Sequence, residues 1–70
     1  MIEIGKIYRH YKGGKYVVLG IGTHTETNER MVVYSPVNDP EVIWIRPYSM
    51  WNEIVDNENN IKRFELELHG

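Results

Sequence analysis

The stretch YRHYKGGKYVVLGIGTHTET, residues 8–27, decides the fold, because paired glycines join two patterns typical of β-strands. Residues 5–11 are predicted to form the first strand and residues 16–24 the second. Gly13 and Gly14 accept the positive φ angles that a tight two-residue hairpin turn requires. The sequence therefore predicts an antiparallel hairpin at the start of the chain.

A short turn at these glycines would place Tyr11 beside Tyr16.

In the second strand Val17, Leu19 and Ile21 recur with a period of two, so we predict that they face the core.

Two further glycines, Gly20 and Gly22, fall on the opposite face of that strand. Glycines there permit a bend or a β-bulge, as small barrels require. A bulge at either position would reverse the alternation of every residue that follows.

The rest of the chain continues as short strands separated by turns. Strands are predicted over residues 30–35, 42–46 and 61–68, with turns or loops over residues 25–29, 36–40 and 56–60. Between them Pro47 precedes apolar residues at helical spacing, which predicts one short helical or 3₁₀ turn near residues 47–54. This pattern predicts an all-β fold, a small five-stranded SH3-like barrel; an OB-like barrel is the alternative, although it usually has a longer helix.

Length and composition limit the classes of function. Seventy residues form one domain, 1–70, and the absence of cysteine excludes disulfides, thiolate zinc sites and a cysteine nucleophile. The net charge of −2 argues against a dedicated non-specific DNA-binding protein. No apolar run suits a signal peptide or a membrane helix, so we expect a cytoplasmic protein.

Several motifs in a fixed order resemble a known family. They are YRHYKG (8–13), YVVLGIGTHTET (16–27), MVVY (31–34), WIRP (44–47), MW (50–51) and RFE (63–65). Together they are similar to the bacterial family called domain of unknown function 1653, over nearly the whole chain. The resemblance implies an SH3-like all-β fold and no activity, because no biochemical function is established for that family.

Alternation along the strands suggests two different sheet faces. Ile43 and Ile45 are predicted to point inward with the aliphatic core. The opposite face would gather aromatic and titratable side chains, namely Tyr11, His24, Tyr34, Trp44 and Arg46. Flat aromatic rings and an arginine fork suit a base, a peptide, a carboxylate or a phosphate. Alternatively, the aromatic residues complete a small core and Arg46 stacks on Trp44.

Four side chains lie within the family motifs without an evident role in folding: Arg9, His10 and Glu26, together with His24 of the face just described. They join the candidate ligand-binding residues. Our prediction is a non-catalytic binding module, without a cofactor, for a peptide, protein or nucleic-acid partner.

The alternative is a small enzyme or a metal-dependent accessory domain that uses His10, His24 and Glu26. Turn geometry argues against it, because pairing about the glycines carries His24 far beyond His10. If no such site exists, His24 is expected to hydrogen-bond across its own turn instead.

Overall fold

The computed structural model describes residues 1–67 and is mostly β. In chain order its elements are β1 (Ile7–His10), β2 (Lys15–Thr23), β3 (Arg30–Pro36), β4 (Trp44–Pro47), α1 (Tyr48–Trp51), β5 (Ile54–Asp56), β6 (Ile61–Lys62) and β7 (Phe64–Leu66). One antiparallel sheet has the order β4-β3-β2-β1-β7, and β5 pairs with β6 in a small second sheet. No helix in the described part of the chain is long and apolar enough to cross a membrane.

The predicted five-stranded antiparallel sheet and the short helical turn are both confirmed. A closed barrel is not, because the edge strands β4 and β7 do not pair with each other within residues 1–67. The strand predicted over residues 61–68 is divided into β6 and β7, and Leu68 lies outside the described residues. Strand β5 was not predicted; it forms a hairpin with β6 around an Asx turn at Asp56.

The turn between β1 and β2 is wider than predicted. Gly13 and Gly14 do adopt positive φ angles of 101° and 84°. However, β1 and β2 pair Tyr8 with Tyr16, so the predicted pairing of Tyr11 with Tyr16 is wrong. The reason is that the His10 N–H donates to the Gly14 carbonyl, so that the loop between the strands consists of residues 11–14.

A β-bulge in β2 determines which of its side chains are buried. The register with β3 shifts between Val18 and Gly20, which leaves Leu19 as the extra residue. Leu19 is 46% exposed, whereas Val18 is fully buried. The predicted core row of Val17, Leu19 and Ile21 is therefore wrong except for Ile21, which packs against the core. The extra residue reverses the alternation, so that Val18 and Ile21 face the same side.

The core is built largely from aromatic rings. Its buried hydrophobic side chains are Ile2, Tyr8, Val18, Val32, Tyr34, Trp51 and Phe64. Trp51 of α1 lies parallel to Phe64 of β7, with ring centroids 3.7 Å apart. The prediction of an aliphatic core face is thus reversed, because aromatic rings bury more apolar area per residue than aliphatic side chains do.

Strand β4 presents to the core the face opposite to the one predicted. Ile43 and Ile45 are 60% and 62% exposed, so they do not point inward. Trp44 instead pairs with Tyr34 and contacts the aromatic core edge-on, at 6.0 Å between ring centroids. Arg46, two residues further on, lies on the same face of the strand.

Candidate functional site

The eight predicted site residues fall into three groups in the structure. His24 and Glu26 lie in the turn after β2, while Arg9, His10 and Tyr11 lie at the end of β1. Tyr34, Trp44 and Arg46 lie together on β3 and β4. The second and third groups meet at Phe64, whose ring is contacted by both His10 and Arg46.

The His24 group has a local structural role. The backbone N–H of Glu26 donates to Nδ1 of His24 at 3.2 Å, and the His24 N–H donates to the carbonyl of Glu29 at 2.8 Å. The histidine therefore hydrogen-bonds across its own turn, as one alternative from the sequence proposed.

His24 is also distant from His10. The β1–β2 turn lies at one end of β2 and His24 follows the other end, on the order of 25 Å along the strand. The register therefore separates His10 from both His24 and Glu26. Within residues 1–67 no group of three or more His, Asp or Glu side chains is arranged to hold a metal.

Trp44 and Arg46 of the third group, with His10 of the second group and Tyr16, form a surface that we call the Arg46 face. Trp44 is 47% exposed, with its ring centroid 5.8 Å from that of Tyr16. Tyr34 lies beneath this surface and is 3% exposed, so it supports the face rather than contacting a ligand directly.

Arg46 is held in a fixed orientation within this face. Its Nε–H donates to the hydroxyl oxygen of Tyr34 at 3.3 Å. Its guanidinium carbon lies 5.4 Å from the centroid of Phe64, so the predicted stacking on Trp44 is replaced by a cation–π contact with Phe64. Across residues 1–67 no carboxylate forms an ion pair with Arg46.

His10 contributes a neutral ring to the same face. It packs edge-on against Phe64 with centroids 4.9 Å apart, and its Nδ1 accepts a hydrogen bond from the Lys12 N–H at 3.1 Å. Burial lowers the pKa of His10 below 6.5, and the nearby charges of Arg46, Arg63 and Lys12 lower it further. Since Nδ1 is an acceptor, the neutral ring carries its proton on Nε2, which is a hydrogen-bond donor.

A concave pocket of about 530 Å³ adjoins His10, and we call it the hairpin pocket. It is lined by Arg9, His10, Tyr11, Lys12, Gly13, Ile61, Lys62, Glu65, Leu66 and Glu67. Glu67, whose side chain is 4% exposed, binds both Arg9 at 3.3 Å and Lys15 at 3.1 Å. The acidic side chains therefore offset much of the pocket's positive charge.

Prediction from the sequence missed two residues of this region, Tyr16 and Phe64. Tyr16 alternates with the row predicted to face the core, which predicts the opposite face for it, and Phe64 falls within the predicted strand 61–68. The available signal was the spacing of Tyr16 and Val18 on β2, which puts both on one face before the bulge.

The structure and the motif pattern agree with comparisons to known proteins. A family model described as a protein of unknown function, DUF1653, matches residues 6–66. The chain belongs to the DUF1653 family. The crystal structure of a DUF1653 protein from Bordetella bronchiseptica is 35% identical, with a TM-score of 0.72, covering 89% of this chain and 83% of that one. No curated protein matches the chain.

Membership of the family confirms the resemblance that the sequence motifs predicted. The family description assigns no activity, so function has to be argued from the geometry of the site.

Proposed function

We propose that this protein is a non-catalytic binding module that holds a protein segment bearing a carboxylate. The segment would bind at the Arg46 face. The observation that carries this proposal is the state of Arg46, a half-buried guanidinium with a fixed orientation and no ion-pair partner within residues 1–67.

A guanidinium fixed in this way is suited to an external anion. Its planar fork matches a carboxylate in a two-point geometry, and prior immobilisation reduces the entropy lost on binding. Arg9 pairs with Glu67 and Arg63 with Glu53. Arg30 has no ion pair among residues 1–67 either, but it is exposed, whereas Arg46 is half-buried. Arg46 lies deeper than a solvated surface arginine but has no such partner.

Trp44 and Tyr16 supply apolar area beside this charge. Trp44 is half-exposed although it packs edge-on against Tyr34 and at a tilt against Tyr16, so one surface of the indole stays accessible. Exposed aromatic residues next to an arginine are the side chains that dominate binding energy at protein interfaces. The neutral His10 can add an N–H donor next to the same carboxylate.

A protein segment fits this surface better than a nucleic acid does. The chain has a net charge of −2, and the three cations that line the adjoining hairpin pocket, Arg9, Lys12 and Lys62, face two carboxylates, of which Glu67 pairs with Arg9. Nucleic-acid backbones are bound by several uncompensated cations, whereas the Arg46 face offers one.

The alternative of an enzyme or a metal-dependent domain is not favoured by any contact. It requires His10, His24 and Glu26 to act together, and the register of β1 and β2 holds them apart.

The proposal is tested by capture from nuclease-treated bacterial lysate with the wild-type chain, Arg46→Ala and Arg30→Ala. Arg30 is the matched control, because it also lies over an aromatic ring, that of Tyr48 at 4.4 Å, but is an exposed side chain that is not part of the Arg46 face. We expect a protein captured by wild type and Arg30→Ala to be reduced at least tenfold by Arg46→Ala, the loss of about 1.4 kcal/mol or more that a charged hydrogen bond supplies.

Equal capture by all three chains would rule out the Arg46 face as the binding surface. Capture that disappears on nuclease treatment would instead identify a nucleic acid as the partner.

A further inference from the structure

We infer that the free edge of β4 is the docking edge, and that the bound segment adds to the sheet as an extended strand beside β4. This inference rests on the proposed function and specifies its binding mode. In this mode main-chain hydrogen bonds provide affinity, and alternate side chains provide specificity.

Strand β4 is an unusual edge strand. Its only partner in the described part of the chain is β3. Apolar side chains are exposed on both of its faces, with Ile45 on one and Trp44 on the other, and Ile43 just before the strand is exposed as well. Edge strands of monomeric proteins are normally protected by charged residues, because an exposed apolar edge invites pairing with another chain.

Strand β4 is short and ends in Pro47, but its exposed side chains include Trp44 and Ile45, whereas the opposite edge of the sheet is polar. Strand β7 exposes Glu65, and the backbone N–H of the preceding Arg63 donates to the carbonyl of Glu53 at 2.8 Å. The side chains of Arg63 and Glu53 form an ion pair across the same junction. The two edges of one sheet therefore differ, and the apolar one carries the unpaired Arg46.

The chemistry of β4 specifies the occupant. Successive side chains of an added strand point to opposite faces of the sheet. On one face they meet Ile45, which favours apolar partners. On the other face they meet Trp44 and Arg46, where a carboxylate complements the guanidinium. The occupant is therefore an extended peptide in which apolar residues alternate with acidic residues.

The probe is a short blocked peptide that alternates valine and glutamate. Two derivatives are N-methylated on alternate amides, one on the valines and one on the glutamates. A strand presents only one of these two sets of amides to its neighbour, so each derivative is the control for the other. Binding is followed by backbone amide shifts of the ¹⁵N-labelled full chain.

We expect the unmodified peptide to shift the amides of β4, and one methylated derivative to bind at least tenfold more weakly than the other. A peptide with glutamine for glutamate, or the Arg46→Ala chain, is expected to lose a similar factor. These results together support strand addition directed by the carboxylate.

Other outcomes separate the two proposals. If binding depends on Arg46 but both methylated peptides bind equally, strand addition is wrong while the proposed function stands. If glutamine and glutamate peptides bind equally and Arg46→Ala has no effect, both fail. Dilution-dependent shifts of β4 without peptide would show that a second copy occupies this edge, and no shift of β4 with any peptide would overturn the inference outright.

Discussion

Arg46 is the side chain on which the proposed binding depends, and the pKa of His10 responds to its charge. The two contact the same Phe64 ring, and the positive charge of Arg46 is one cause of the lowered pKa of His10. Because burial is the larger cause, the pKa of His10 is expected to stay below 6.5 even without Arg46.

The first prediction concerns this coupling. Arg46→Ala is expected to raise the pKa of His10 part of the way toward 6.5, because it removes a repulsive charge but leaves most of the burial. Titration of the imidazole NMR signals measures the change, with Arg30→Ala as a control that leaves it unaltered. An unchanged His10 pKa in Arg46→Ala would show that the two side chains are not electrostatically coupled.

The second prediction is the effect of pH on stability. A histidine whose pKa is lower in the folded state contributes its full stability above about pH 6.5. That contribution is lost as the pH falls from there through the folded-state pKa, because the unfolded chain takes up the proton more readily.

Denaturation of wild type and His10→Gln between pH 7 and pH 5 should therefore show a steeper loss in wild type. Parallel curves for the two proteins would contradict the lowered pKa.

At the scale of elements, the hairpin of β1 and β2 could be predicted but its details could not. Alternating apolar residues and the paired glycines were sufficient to identify two strands and a turn with positive φ angles. The sequence did not determine the loop length or the position of the bulge. Both depend on which backbone groups of the partner strand are within reach, and a shift of one residue reverses the faces.

The third prediction tests the glycine turn. A Cβ at Gly14 would lie 3.2 Å from the hydroxyl oxygen of Tyr16 and would stand at a φ of 84°. Gly14→Ala is expected to destabilise the protein by roughly 1–2 kcal/mol, because residues with a Cβ strain this backbone region. Gly22→Ala, at a glycine with open space around it and no positive φ, serves as the control in urea denaturation. Equal stabilities of the two variants would contradict this description of the turn.

Strand β4 illustrates why the orientation of the site was not predictable. In VIWIR, residues 42–46, the alternation of a strand allows either face to be buried. A preference for burying aliphatic residues then selects the face of Ile43 and Ile45, which is exposed in the structure. The rings of Tyr16, Tyr34 and Phe64 decide the choice, because they offer contacts to Trp44 and Arg46. These rings come from three other strands, and their convergence is a property of the folded sheet.

For the whole molecule, stability depends on a small core in which the stacked rings of Trp51 and Phe64 are central. A chain of this length has a stability of roughly 4–10 kcal/mol. The family, the five-stranded sheet and the helical turn were predictable from motif order and spacing. The clustering of rings from α1 and β7 was not, because it joins distant parts of the chain.

The fourth prediction concerns this core. Trp51→Ala is expected to cost about 3–5 kcal/mol, a large share of the stability of a chain this short. Trp51→Phe is expected to cost only about 1–2 kcal/mol, because it keeps part of the buried area. It also removes the indole N–H, which has no hydrogen-bond partner within the described chain. Thermal unfolding by circular dichroism distinguishes the two, and similar losses for both would contradict a central role for ring stacking.

The most direct test of the proposed function is NMR observation of the arginine side chains in the ¹⁵N-labelled full chain. The Nε–H signal of Arg46 is identified by its loss in Arg46→Ala and followed as the blocked valine–glutamate peptide is added. The Arg46 signal is expected to shift and saturate, while that of Arg30 stays in place and the glutamine peptide needs at least a tenfold higher concentration for the same shift. A stationary Arg46 signal at peptide concentrations that shift other residues, or equal shifts of Arg46 and Arg30, would contradict a carboxylate-binding role for this face.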